Sequence, residues 1–246
     1  MSQKKNFVVT GATKGIGRGV VEYLANCDEC ANVIAVCRPG SKHTGELRQR
    51  FKNNQKVHIF DGDVAELSSL QKVHQQMHQK GIVPDFVLNN AGVISPCKPV
   101  WDVTTEEMNQ CYQVNVLGVF NSMKVFAPHM KDRKGAVIAN VSSDWGICGS
   151  PGRSAYCMSK FGVEGLTKTS SFDVEKNELT IASVSPGMVL SDMLIAAYGQ
   201  DQAKKIGVPI EHFVPHFVQK LGTINKSHNG QHLDFALKEA ERAVGK

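Results

Sequence analysis

The sequence holds no apolar run near the roughly 18 residues that a membrane-spanning helix requires, so no transmembrane segment is expected. Its basic residues are spread thinly ("MSQKK", "KDRKG", "KKIG") for a net charge of +5, with no cluster interleaved with aromatics. A strand-tracking groove needs such a cluster, and nucleic acid is not an expected partner. The 7 cysteines are odd in number, which suits free thiols in a reducing compartment better than a disulfide framework. The first apolar run, "NFVVT", begins at Asn6 and leaves no space for the charged and apolar regions of a secretory leader. The tail "ERAVGK" carries no lipidation or organelle signal, and the expected location is cytoplasmic. No linker, repeat or low-complexity tract interrupts the chain. Residues 1–246 are therefore read as one domain, large enough to bury about three quarters of its unfolded surface.

What is present is an alternation of short apolar runs and longer helical periods. Candidate strands are 7–10, 32–37, 56–61, 85–90, 135–143 and 179–186, with "QHLDF" (231–235) as an edge strand. Their near-continuous Val, Ile, Leu and Phe content predicts strands buried on both faces of a parallel sheet. Helical stretches run from Gly15 to about Cys27 (Ile16, Val20, Leu24 on one stripe) and from Leu67 to Lys80 (Leu67, Leu70, Val73, Met77). Two more cover roughly 104–127 and 155–172. Such alternation predicts an α/β, doubly wound sheet with right-handed crossovers. After Pro186 the pattern weakens, and 187–225 reads as a long irregular insert. Residues 188–225 are expected to form a lid, with His212 and His216 along it.

"VVTGATKGIGRG" joins the first strand to the first helix. Gly11, Gly15 and Gly17 permit a tight turn, and the backbone of Thr13, Lys14 and Ile16 can approach a pyrophosphate at the helix N-terminus. The end of the second strand reads "AVCRPG", with Arg38 and no acid to hold a ribose 2′-hydroxyl. Arg38 can meet a 2′-phosphate in bidentate fashion, with Lys14 adding a second charge. The pair points to NADP(H). Asp63, after the third strand, either bonds the adenine amino group or caps the following helix.

In "SAYCMSKFG", Tyr156 and Lys160 share one face if the segment is helical. An ammonium beside a phenol stabilises the phenolate and makes tyrosine a usable proton donor. From these residues alone, an exposed tyrosine beside a solvated lysine is the alternative. "CDEC" (27–30) and the His74/His78 pair lack the further ligands a metal centre needs, and no metal site is expected.

Taken in order, "TGATKGIG" (10–17), "NNAG" (89–92), Asn115 in "YQVNVLG", "NVSSDWG" (140–146), "YCMSK" (156–160) and "SPGMV" (185–189) resemble the short-chain dehydrogenase/reductase family over nearly the whole chain. The resemblance implies a Rossmann fold of about seven parallel strands. It implies that Tyr156 is the general acid, that Lys160 bonds the nicotinamide ribose and lowers the tyrosine's pKa, and that Ser143, thirteen positions before Tyr156, holds the carbonyl. Ser142 is set aside because its side chain lies on the other face of the strand end. Asn115 would hold a water that connects Lys160 to solvent. Asn90, Ala91 and Gly92 would approach the cofactor ribose, while Pro186, Gly187 and Val189 orient the nicotinamide. Ser191 stands where relatives commonly carry threonine. "NVSSDWG" and "NGQHLDF" are similar to benzil or sepiapterin reductase-like members, although the loop after "NNAG" departs from true sepiapterin reductases. Ile94, Trp145, Met188, Met193 and Leu194 are candidate pocket residues, or plain core.

The implied activity is NADPH-dependent carbonyl reduction of a small molecule. The alternatives are an NADP-dependent alcohol or hydroxysteroid dehydrogenase and an NADP(H)-sensing protein without catalysis. Family members often form homodimers or homotetramers through the two long helices.

Overall fold

A computed structural model describes residues 4–237, so the first three residues and the tail "ERAVGK" lie outside the described residues. The strands are β1 (Lys5–Thr10), β2 (Cys30–Cys37), β3 (Val57–Asp61), β4 (Phe86–Asn89), β5 (Val137–Val141), β6 (Thr180–Ser185), β7 (Val189–Leu190), β8 (Val208–Pro209) and β9 (His232–Asp234). Seven of them form one sheet in the order β3-β2-β1-β4-β5-β6-β9, and every pairing in it is parallel. The expected edge strand is thus the seventh strand. Order reverses between β1 and β4, and a crevice opens outside the carboxyl ends of strands at such a point.

The helices are α1 (Gly15–Ala25), α2 (Lys42–Arg50), α3 (Leu67–Gln79), α4 (Thr105–Cys111), α5 (Gly118–Met130), α6 (Ser154–Asp173), α7 (Asp192–Tyr198), α8 (Gln200–Ile206) and α9 (Ile210–Gly222). Strand side chains alternate between two cores. Small residues, Ala35, Ala139 and Ala182, face the layer of α1 and α9, where Val20, Leu24, Phe213 and Phe217 are buried. Their neighbours Ile34, Ile138 and Ile181 face α3, α5 and α6, packing with Leu70, Val73, Phe126 and Val163. Alanines on the first face let α1 and α9 sit close to the strands. The two helices also sit close to each other, since a Cβ at Gly19 would stand 2.7 Å from Val214.

Two expectations change here. The stretch 104–127 is not one regular helix, because a π-helical turn, Tyr112–Leu117, separates α4 from α5. The stretch 187–225 is not irregular. It holds α7, α8 and the small β7–β8 pair, and then α9, whose Phe213, Phe217 and Leu221 are core residues. Within it, residues from Met188 to Tyr198 line the cavity described below. His212 and His216 ride on α9, away from it.

Candidate active site

One cavity of about 900 Å³ opens at the carboxyl edge of the sheet. Of the residues named from the sequence as cofactor, substrate or catalytic groups, all line it except Gly17 and Asn115. Those two act behind the wall. A Cβ at Gly17 would lie 2.4 Å from the Gly11 carbonyl oxygen, so the loop can close this tightly only around glycine. Gly11 has φ +65°, and a Cβ there would stand 2.7 Å from Ala91 Cα. The "NNAG" segment is the support for this turn. Asn90 Nδ2 donates to the carbonyls of Thr10 and Gly11, and the backbone N–H groups of Asn90 and Ala91 donate to the Thr10 hydroxyl.

The N-terminus of α1 points into the cavity without a side-chain cap and without an acid in its first turn. Unsatisfied amides and the helix dipole make this end a receptor for an anion. Arg38 is exposed beside it and makes no ion pair among the described residues. Ser41, Lys42 and His43 at the start of α2 share that wall. They were missed in the sequence because "KHTGELRQR" buries only Thr44 and Leu47 and shows no apolar period. Lys14, expected at the same phosphate, instead pairs with Asp192 of α7 at 3.0 Å. Both partners are well exposed, and such a pair contributes under about 1 kcal/mol, too little to hold Lys14 from a phosphate. Asp63 is not a helix cap; its carboxylate accepts the Ala65 N–H, and Glu66 holds the cap position of α3.

At the other end, the i,i+4 spacing of α6 sets Tyr156 and Lys160 on one stripe, both buried. Lys160 Nζ donates to the Val141 carbonyl at 2.8 Å and lies 5.6 Å from the Tyr156 ring centroid. Burial raises the phenol above its ordinary pKa, while the Ser143 hydroxyl pulls it the other way. Burial also pushes the Lys160 ammonium down to about 8, against the pull of Glu164. Burial, rather than the lowering expected from Lys160, sets the direction of the tyrosine's shift, and the Lys160 ammonium is engaged with the Val141 carbonyl. Tyr156 keeps its proton at neutral pH. Ser143 faces the cavity, and its oxygen also accepts the Trp145 N–H at 3.2 Å.

Asn115 sits in the π-helical turn and is buried. Its amide accepts the Val93 N–H and donates to the Val93 carbonyl and to the Ser159 hydroxyl, all within 2.9 Å. The widened turn brings this side chain inward, which explains the break in the long helix. π-turns of this kind recur at functional sites.

Aromatic walls complete the cavity. Trp145 meets Tyr156 edge-on at 5.9 Å and Tyr198 of α7 at 6.2 Å. Behind Trp145 lies Arg153, buried and without a carboxylate partner among the described residues. Its guanidinium donates to the Ser95 carbonyl at 3.0 Å and to the Ala197 carbonyl, tying α7 to the post-β4 loop. Nothing in its local sequence signals this role, since its partners lie 58 and 44 residues away. His74, half of the sequence's histidine pair, stacks on His129 of α5 at 4.0 Å.

The short chain dehydrogenase family model matches residues 5–202. The chain is 30% identical over 195 residues to the NADPH-dependent pterin aldehyde reductase of Arabidopsis thaliana, covering 79% of each chain. It is 31% identical over 195 residues to the 3-oxoacyl-[acyl-carrier-protein] reductase of Staphylococcus aureus, covering 78% of each. In fold it is similar to the NADPH-bound carbonyl reductase from chicken fatty liver, with a TM-score of 0.82 over 95% of this chain and 97% of that one, at 22% identity.

Proposed function

The chain belongs to the short-chain dehydrogenase family and is one of its oxidoreductases, and from that premise we propose that it is an NADPH-dependent reductase of a ketone, diketone or aldehyde. The observation that carries this reading is the joining of two ends in one cavity. One end has an uncapped helix N-terminus beside Arg38, Lys42 and His43. The other has the buried Tyr156–Lys160 stripe beside Ser143.

The residues present fit the cofactor. The Gly11–Gly17 loop leaves a cradle that a Cβ would fill, the α1 amides suit a pyrophosphate, and Arg38 with Lys42 suits a 2′-phosphate. Lys160 would hold the nicotinamide ribose, and the backbone around Pro186, Gly187 and Val189 the ring. When bound, NADPH supplies a hydride to the carbonyl carbon.

The protein's own residues do the rest. Tyr156 donates its proton to the carbonyl oxygen, and Ser143 bonds that oxygen as charge develops on it. Trp145 and Tyr198 with Ile94, Met188, Met193 and Leu194 make an apolar wall that favours an uncharged, flat substrate. The pterin aldehyde reductase relative is consistent with a conjugated carbonyl substrate. Exposed Tyr112, Phe120, Phe161 and Phe172 on the π-turn, α5 and α6 support self-association through these helices.

A panel of aromatic ketones, diketones and aldehydes assayed with NADPH and with NADH tests the reading. Turnover is expected with NADPH; failure with every compound would count against it. Arg38→Ala is expected to raise the KM for NADPH by about tenfold to a hundredfold, the loss of a charge-assisted bond, and to leave NADH kinetics nearly unchanged. Equal effects on both cofactors would remove Arg38 from the phosphate site.

A further inference from the structure

We propose that Glu164, a residue outside the cavity, is a positioning residue that supplies the counter-charge keeping the buried Lys160 ammonium protonated, and that His232 and Ser183 hold it there. The proposal rests on the reading of Tyr156 and Lys160 given above.

The stripe that carries Tyr156 and Lys160 continues one turn further to Glu164. On a helix, residues four apart have Cβ atoms about 5–6 Å apart. Lys160 is buried, and its ammonium bonds a neutral carbonyl, that of Val141, with no carboxylate at ion-pair distance among the described residues. A buried charge with no compensation is costly. Among the described residues, the titratable groups acting on Lys160 are Glu164 on its own helix and Cys111 at the end of α4, with the Tyr156 ring centroid 5.6 Å away. Cys111 is buried and kept as the neutral thiol, its pKa raised by that burial. Glu164 is then the negative charge available to Lys160.

The carboxylate is built to stay charged. His232 of β9 lies 2.9 Å from one oxygen through Nδ1, and the Ser183 hydroxyl of β6 donates to the other at 2.7 Å. Burial works to raise the Glu164 carboxyl, but the bonds from His232 and Ser183 oppose it, and the group lies below its ordinary value. His232 is in turn anchored by Ser185, whose hydroxyl lies 3.1 Å from Nε2. Its bond to Glu164 lifts the imidazole above its ordinary value against the pull of burial, with Asp144 and Asp234 adding their fields. The network bridges β6, β9 and α6 beneath the site. Through Glu164, 68 residues away from His232, the strand β9 thereby acts on the active-site lysine.

The sign of the effect is definite. Without Glu164 the ammonium loses its proton at lower pH. The alkaline limb of kcat/KM for carbonyl reduction should therefore move acidward by about one pH unit in Glu164→Gln, a tenfold change in proton affinity. His232→Asn should move that limb in the same direction but less, because Ser183 still bonds the carboxylate. A purely structural role would lower activity in both variants without moving either limb.

Should Glu164→Gln fail to fold, Glu164→Asp reads the same effect, with a smaller shift in the same direction. Should turnover be too low to profile, melting of the cofactor-free protein decides. In a His232→Asn background, Glu164→Gln should melt lower than its parent near pH 7, and the gap should close by about pH 9. Lys160 titrates at about 8 in the fold, so a counter-charge there matters only while the folded ammonium keeps its proton, and the gap closes above that pH even though the cost of burying the lysine fades only towards its higher unfolded value. An unmoved limb in the Glu164 variants, an equal shift in His232→Asn, or a gap independent of pH overturns the proposal. If Tyr156→Phe retains turnover, the underlying reading has failed instead, and the two failures are told apart in one set of assays.

Discussion

Tyr156→Phe is expected to lower kcat by about 10³–10⁴-fold, the upper range for a positioned general acid, while NADPH binds within about threefold of wild type. The size of the loss follows from burial. The phenol lies 6% exposed, so bulk water cannot take over the proton transfer. Its proton is retained at neutral pH because burial raises its pKa. Ser143 remains in the variant but has no acid of its own to deliver, and the developing alkoxide keeps one donor where it had two. The fold should tolerate the change, since the ring keeps its edge contact with Trp145. Steady-state turnover together with a fluorescence titration of NADPH separates the two effects. A kcat within tenfold of wild type would show that the proton comes from elsewhere.

Phe217→Ala should cost about 3–5 kcal/mol, the range for emptying a fully buried aromatic site, and lower Tm by about 10 °C for a chain this size. Phe217 is fully buried on α9, stacked on Phe213 at 5.0 Å and edge-on to Phe235 at 6.1 Å. It thus joins α9 both to its own helix face and to the segment after β9. Because α9 packs on α1 at Gly19, loosening it should disturb the helix whose N-terminus is proposed to receive the pyrophosphate. Added NADPH should therefore stabilise the variant less than wild type. A melting shift under about 3 °C would place this helix in the mobile cover rather than the core.

That last point separates what was legible in the sequence from what was not. Parallel strands are buried on both faces, so they appear as plain apolar runs, and all seven sheet strands were readable within a few residues. The glycine turn and the Tyr156–Lys160 spacing are local patterns and were equally plain. α9 does show the period of Phe213, Phe217 and Leu221, but Pro215 within it and two short helices before it disguise the pattern. α2 buries too little to show any period. The π-turn at Asn115 exists to satisfy the backbone of Val93 and the hydroxyl of Ser159, contacts formed only once the chain has folded. Arg153 and the Glu164–His232 pair are likewise products of tertiary contact, with no trace along the chain.

The account's central claim is that hydrogen passes from NADPH to a carbonyl carbon in this cavity while Tyr156 protonates the oxygen. The most direct test incubates the wild-type protein with an aromatic diketone and NADPH deuterated at the transferable position, then reads the product by mass spectrometry. The account predicts an alcohol carrying one deuterium on the carbinol carbon, formed in step with NADPH consumption and absent with Tyr156→Phe. An unlabelled alcohol, or NADPH bound without any alcohol formed from the whole carbonyl panel, would contradict it.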